Sequence, residues 1–84
     1  MNRNRIANTK TMADFLVRAR ILITCLLRDS GGWWSAPCVR LHALKAMPQG
    51  IGTVLAPAVL AELHRDGTVE VRPSAAGPLF RWKQ

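Results

Sequence analysis

The apolar residues of this chain change their period along its length, and each change marks an element. From Phe15 to Leu27 they recur every three to four residues. Plotted at 100° per residue, Phe15, Ala19, Leu22, Ile23 and Leu26 share one broad face, with Leu16 and Leu27 at its border. Arg18, Arg20, Thr24 and Arg28 lie mostly opposite, which predicts a helix with one side in the core. Thr11-Met12-Ala13-Asp14 has capping-box spacing and starts it; Asp29-Ser30-Gly31-Gly32 stops it, because glycine supplies the left-handed C-terminal cap. Val17, Ile21 and Cys25 form an i, i+4, i+8 stripe on the otherwise polar side, which marks either a second core contact or a dimer seam.

Trp33 and Trp34 follow in a loop, where at least one is expected to plug the core and the pair could also stack on bases or fill a partner's pocket. Ser35 can cap a second helix, with Pro37 in its first turn, running to about Met47. Pro48-Gln49-Gly50-Ile51-Gly52 reads as a turn, and Thr53 as the opening of a third helix. That start puts Pro57 in the first turn, where its missing N–H costs little. Leu60 and Leu63 then point inward, and Asp66-Gly67 ends the helix.

Beyond Gly67 the period falls to two. Thr68-Val69-Glu70-Val71-Arg72 and Leu79-Phe80-Arg81-Trp82 alternate on either side of the flexible loop Pro73–Pro78 and predict a hairpin. Val69, Val71, Phe80 and Trp82 share its buried face, while Glu70, Arg72 and Arg81 face water. The fold class is therefore α+β, three helices followed by a C-terminal two-stranded β-hairpin, in a domain spanning 11–84 behind a flexible basic N-terminal arm at 1–10.

At 84 residues the chain supports one modest core, and 49% hydrophobic with 20% charged residues is a globular composition. Charge narrows the function. Twelve Lys and Arg against five Asp and Glu leave +7, a surplus that attracts phosphates or anionic membranes. The apolar run Ile21 to Leu27 is too short to span a bilayer, and Arg28-Asp29 is no signal-cleavage site, so the chain is expected in the cytoplasm without a membrane partner. Cys25 and Cys38 form no CxxC pair or Cys/His cluster with metal-ligand spacing, so reduced thiols and no metal are expected. His42 and His64 sit on separate helices, and Gly50-Ile51-Gly52 lacks the strand and the Lys-Ser or Lys-Thr of a phosphate loop. No catalytic residue, cofactor or small-molecule substrate is expected.

The segment Leu60-x-x-Leu63-x-x-x-Gly67-x-Val69, placed after two helices and before a hairpin, resembles the winged helix-turn-helix superfamily, the hairpin being the wing. Phe80 and Trp82 match the apolar pair on the family's returning strand, and Arg20 to Leu27 its first helix, so the resemblance covers roughly Arg20 to Trp82. It implies a small DNA-binding protein, a transcriptional regulator or accessory factor. Two features depart from the pattern. The connection Met47 to Thr53 exceeds the usual three or four residues, and the base-reading positions fall on Leu55, Pro57, Ala58, Ala61 and Glu62, which lack the bidentate donors that Arg, Asn and Gln supply.

DNA contact would then rest on phosphates. Arg72, Arg81 and Lys83 would act from the wing; Arg40, His42 and Lys45 from the second helix; Arg3, Arg5 and Lys10 from the arm. Thr53 would offer its hydroxyl at the third helix's start. The alternative is a winged-helix protein-interaction module, with Leu55, Pro57, Ala58 and the Val17/Ile21/Cys25 stripe as contacts to a homodimer mate or another protein.

Overall fold

The computed structural model describes residues 11–84, and the basic arm at 1–10 lies outside the described residues. The elements in chain order are α1 (Met12–Ser30), β1 (Trp34–Ser35), α2 (Ala36–Ala43), α3 (Gln49–Arg65), β2 (Val69–Arg72) and β3 (Leu79–Trp82). The domain is thus α+β, with three helices and a small antiparallel sheet of order β1-β3-β2.

Both ends of α1 form as their local chemistry dictates. Thr11 Oγ1 accepts from the Asp14 N–H at 3.1 Å, and the Asp14 carboxylate accepts from the Thr11 N–H at 3.4 Å. At the other end Gly31 takes φ +73° and donates to the Leu27 carbonyl at 3.2 Å. The buried line is Ala19, Ile23 and Leu27, with Phe15, Leu16 and Leu26 half-buried beside it. The core axis thus runs through Leu27, expected at the border, and leaves Leu22, expected inside, 37% exposed. Packing against both α2 and α3 sets that rotation: Arg20 reaches Glu62 on α3 and Asp66 at its C-cap, which places it at the helix junction instead of opposite the core.

Trp34, expected in a loop, and Ser35, expected to cap the second helix, together form a short third strand. Trp34 pairs with Phe80 and Ser35 with Leu79, which makes β3 the central strand. Trp34 packs on the core, donates its indole N–H to Ser30 Oγ at 2.7 Å and meets His42 edge-on with ring centroids 5.1 Å apart. Ser35 caps α2 by accepting from the Cys38 N–H at 3.3 Å. This helix ends at Ala43, short of Met47, because Leu44 and Met47 turn inward and are both buried. A Met47 N–H to Leu44 carbonyl bond of 3.0 Å closes the turn, and Pro48 disfavours helical geometry in the residue before it.

The third helix departs most from expectation. It begins at Gln49, with Pro48 as its N-cap, so Thr53 lies inside it and Pro57 sits in its interior, not its first turn. The segment expected to be a turn is helical because Gly52, Leu55 and Ala56 are buried against the second helix and the core. Gly52 permits the approach: a Cβ there would lie 3.2 Å from Arg40 Cγ and 3.6 Å from Leu44 Cβ. Val59, Leu60 and Leu63 continue the buried face, and Gly67 at φ +78° turns the chain into β2. In the hairpin Val69 opposes Trp82 and Val71 opposes Phe80, so the alternation holds, with Val69 and Phe80 buried. The loop between the strands closes as a hydrogen-bonded turn, Gly77 N–H to Ser74 carbonyl at 3.0 Å.

Candidate nucleic-acid interface

Strand alternation decides what the sheet shows to solvent. Since Val69, Val71, Phe80, Trp82 and Trp34 face inward, Glu70, Arg72, Leu79 and Arg81 face outward, and Trp33, one residue before Trp34, joins them. The indole of Trp33 lies against two guanidinium groups at once, Arg72 Cζ 4.6 Å and Arg81 Cζ 4.5 Å from the ring centroid, both well within cation–π range. Arg81 also donates Nε–H and Nη2–H to Glu70 Oε1 at 3.1 and 2.6 Å. The outer face therefore carries two arginines held on a half-buried aromatic, with one acid partly neutralising them. Lys83 follows β3, its backbone N–H bonded to the Thr68 carbonyl at 3.0 Å and its side chain exposed.

A second group surrounds the junction of α2 and α3. Arg40 lays its stem across Gly52 and, with Ala36, Pro37, Thr53, Ala56 and Pro57, lines an open hollow of about 310 Å³. Thr53 does not offer its hydroxyl at a helix start, because it donates to the Gln49 carbonyl at 2.8 Å, one turn back. The helix's first N–H groups belong to Gln49 and Gly50, since Ile51 and Gly52 already donate to the Pro48 carbonyl. Lys45 is exposed in the turn after α2. His42 stands apart, its ring against Trp34 beside a hollow lined by Leu22, Cys25, Leu26 and Ser30 on α1. Arg3, Arg5 and Lys10 lie outside the described residues.

Acids are too few to neutralise this surface. Asp14 caps α1, Glu62 and Asp66 hold Arg20, Asp29 lies 3.5 Å from Arg28, and Glu70 holds Arg81. Among the described residues Arg18, Arg40, Lys45, Arg65, Arg72 and Lys83 make no ion pair.

The outward surface of α3 is apolar, although not through every residue expected there. Leu55 is only 4% exposed and belongs to the core, and Glu62 is tied to Arg20. Pro57, Ala58 and Ala61 are exposed, and they are joined by Val54, which is 58% exposed and which the helical pattern alone does not single out. Starting the helix at Gln49 rather than Thr53 does not alter its phase. It adds the turn that carries Gly52 into the contact with α2, and Val54 lies on the outer side between the buried Gly52 and Leu55. The part played by Trp33 also needs a structural fact, the existence of β1; once a strand begins at Trp34, adjacency alone puts the two tryptophans on opposite faces.

Among the described residues no polar or charged residue is buried, no group of three His, Cys, Asp or Glu can hold a metal ion, and both cysteines are free and exposed. No helix among them is long and apolar enough to cross a membrane. Comparison with protein-family models, with curated proteins and with solved structures returns no match.

Proposed function

We propose that the protein is a small winged-helix DNA-binding protein that grips the phosphate backbone, serving in the cytoplasm as a transcriptional regulator or accessory factor. The observation that carries this reading is the arginine pair on the outer face of the hairpin, Arg72 and Arg81, both held over Trp33. A guanidinium held over an indole keeps its in-plane N–H groups off the ring and available to a phosphate, fully on Arg72 and on Arg81 through the donors not given to Glu70, and the contact reduces the rotamer freedom lost on binding. The order helix, strand, helix, helix, hairpin, with β3 between β1 and β2, supports the winged-helix reading. The unpaired Arg40, Lys45 and Lys83 add to a total charge of +7.

Affinity comes mainly from release of counterions when Lys and Arg neutralise phosphates, with little direct reading of bases by α3. The test is fluorescence anisotropy of the full chain with a labelled random-sequence duplex at two salt concentrations. Binding is expected to fall steeply with salt. In R72Q/R81Q the slope of log K against log salt should lessen by about 0.9 for each phosphate contact removed. No binding at low salt overturns the proposal, and a double variant that binds normally with an unchanged slope removes the hairpin from it. A second reading, protein recognition by α3, is favoured by the exposed Val54, Pro57, Ala58 and Ala61; its mark is a partner whose binding is insensitive to salt and is lost in V54D.

A further inference from the structure

The outward side of α1 is apolar where a helix on the surface of a lone domain is ordinarily charged. Ala19, Ile23 and Leu27 fill the core, and the direction opposite to them at 100° per residue is centred on Ile21, flanked by Asp14, Val17, Cys25 and Arg28. Val17 is 60% and Ile21 59% exposed, and Cys25 is exposed between them and Arg28. The stripe therefore makes no second contact with the core, which is one of its two expected roles.

Its charges are arranged about Ile21 in a way that selects an occupant. Asp14 stands seven residues before Ile21 and Arg28 seven residues after it, two helical turns in each direction. We infer that this face is the seam of a homodimer, two α1 helices packing antiparallel about a two-fold axis at Ile21. That symmetry makes the surface complementary to itself. Ile21 meets Ile21 of the second copy, Val17 meets Cys25, and Asp14 meets Arg28 at both ends. A parallel pairing would instead oppose Asp14 to Asp14 and Arg28 to Arg28, which like-charge repulsion disfavours. Among the described residues the Asp14 carboxylate accepts one hydrogen bond, from the Thr11 N–H, and a carboxylate has further acceptor capacity for a guanidinium. Arg28 is already laid along the seam, its Nη2 3.7 Å from Cys25 Sγ. Arg18 and Leu22 form the rim.

Two measurements on the full chain test the seam. Sedimentation equilibrium should show a monomer and dimer exchanging with concentration, and I21D, whose fold is checked by circular dichroism, should raise the dimer dissociation constant at least tenfold. Because Ile21 is exposed, the variant is expected to fold normally. Register is read by oxidative crosslinking on a C38S background. V17C should give covalent dimer in high yield through native Cys25 of the second copy. V17C/C25S should give no more than the collisional yield of the wild-type Cys38 in a C25S chain, since the two substituted sites would lie about 12 Å apart along the axis. A chain that stays monomeric up to the highest attainable concentration overturns the inference and leaves the stripe to a different protein. A dimer unaffected by I21D places the seam elsewhere, and efficient crosslinking of V17C/C25S shows a parallel pairing; either result also overturns it.

Discussion

Removing the indole of Trp33 separates its role as an organiser from the role of charge. In the structure its ring holds two guanidinium groups, at 4.6 and 4.5 Å. Partly exposed cation–π contacts of this kind are worth about 0.5–1 kcal/mol each, so Trp33 should couple to Arg72 and Arg81 by about 1–2 kcal/mol in total. Arg81 is additionally held by Glu70, but both side chains are about 40% exposed and solvent screens the pair, so that contact contributes under about 1 kcal/mol. Double-mutant cycles of W33A with R72A and with R81A isolate each coupling, because the cost of losing the ring's own packing cancels. Urea unfolding should be followed by circular dichroism, since the substitution removes a fluorophore. A coupling of 1 kcal/mol corresponds to about 4–8 °C in the melting temperature of a domain this small. The effect on DNA follows from the same geometry. W33A retains every positive charge, so the salt slope should stay unchanged, while freeing two side chains should lower affinity by about 1 kcal/mol, roughly fivefold. Couplings below about 0.3 kcal/mol on both arms would refute the clamp. A slope that fell with the affinity would show that Trp33 acts by altering which phosphates are reached.

Three further outcomes test the packing. L60A removes a fully buried side chain from α3 and should cost about 2–5 kcal/mol, a large share of the stability of a domain this size, read as a lower urea midpoint. G52A should be nearly neutral by the same measurement: alanine favours the helix by about 0.8–1.0 kcal/mol. The new methyl at 3.2 Å from Arg40 Cγ offsets this, whereas G52L should be plainly destabilising. R20M breaks the bridge from α1 to Glu62 and Asp66; with all three side chains partly exposed the loss should be about 0.5–1 kcal/mol and shrink at high salt, and a larger, salt-independent loss would show that packing of the stem dominates.

Parts of the candidate site are legible in the sequence alone. Alternation places Arg72 and Arg81 on the outer face of the hairpin, because a strand's side chains alternate whatever lies around it. Thr53 misleads, because a polar side chain after two glycines resembles a helix start, and only the packing of Gly52 on Arg40 and Leu44 shows that the helix is already under way. Leu55 misleads for another reason: the winged-helix resemblance puts a base-reading position there, whereas packing against the core buries it. Trp33 is legible as an aromatic but not as a clamp, since its partners are distant in the chain and meet it only once β1 lies beside β3.

The division follows the range of the interactions. Sequence by itself determined the capping box at Thr11 and Asp14, the stop at Gly31, the turn at Gly67 and the alternation in β2 and β3. Each depends on groups within a few residues, whose hydrogen bonds and dihedral preferences operate before any core exists. Tertiary structure decided where α3 begins, which line of α1 enters the core, that Trp34 and Ser35 form a strand, and that Val17 and Ile21 stay outside. Those outcomes are set by apolar area shared between distant segments, which outweighs the few tenths of a kcal/mol that local propensity supplies at most positions.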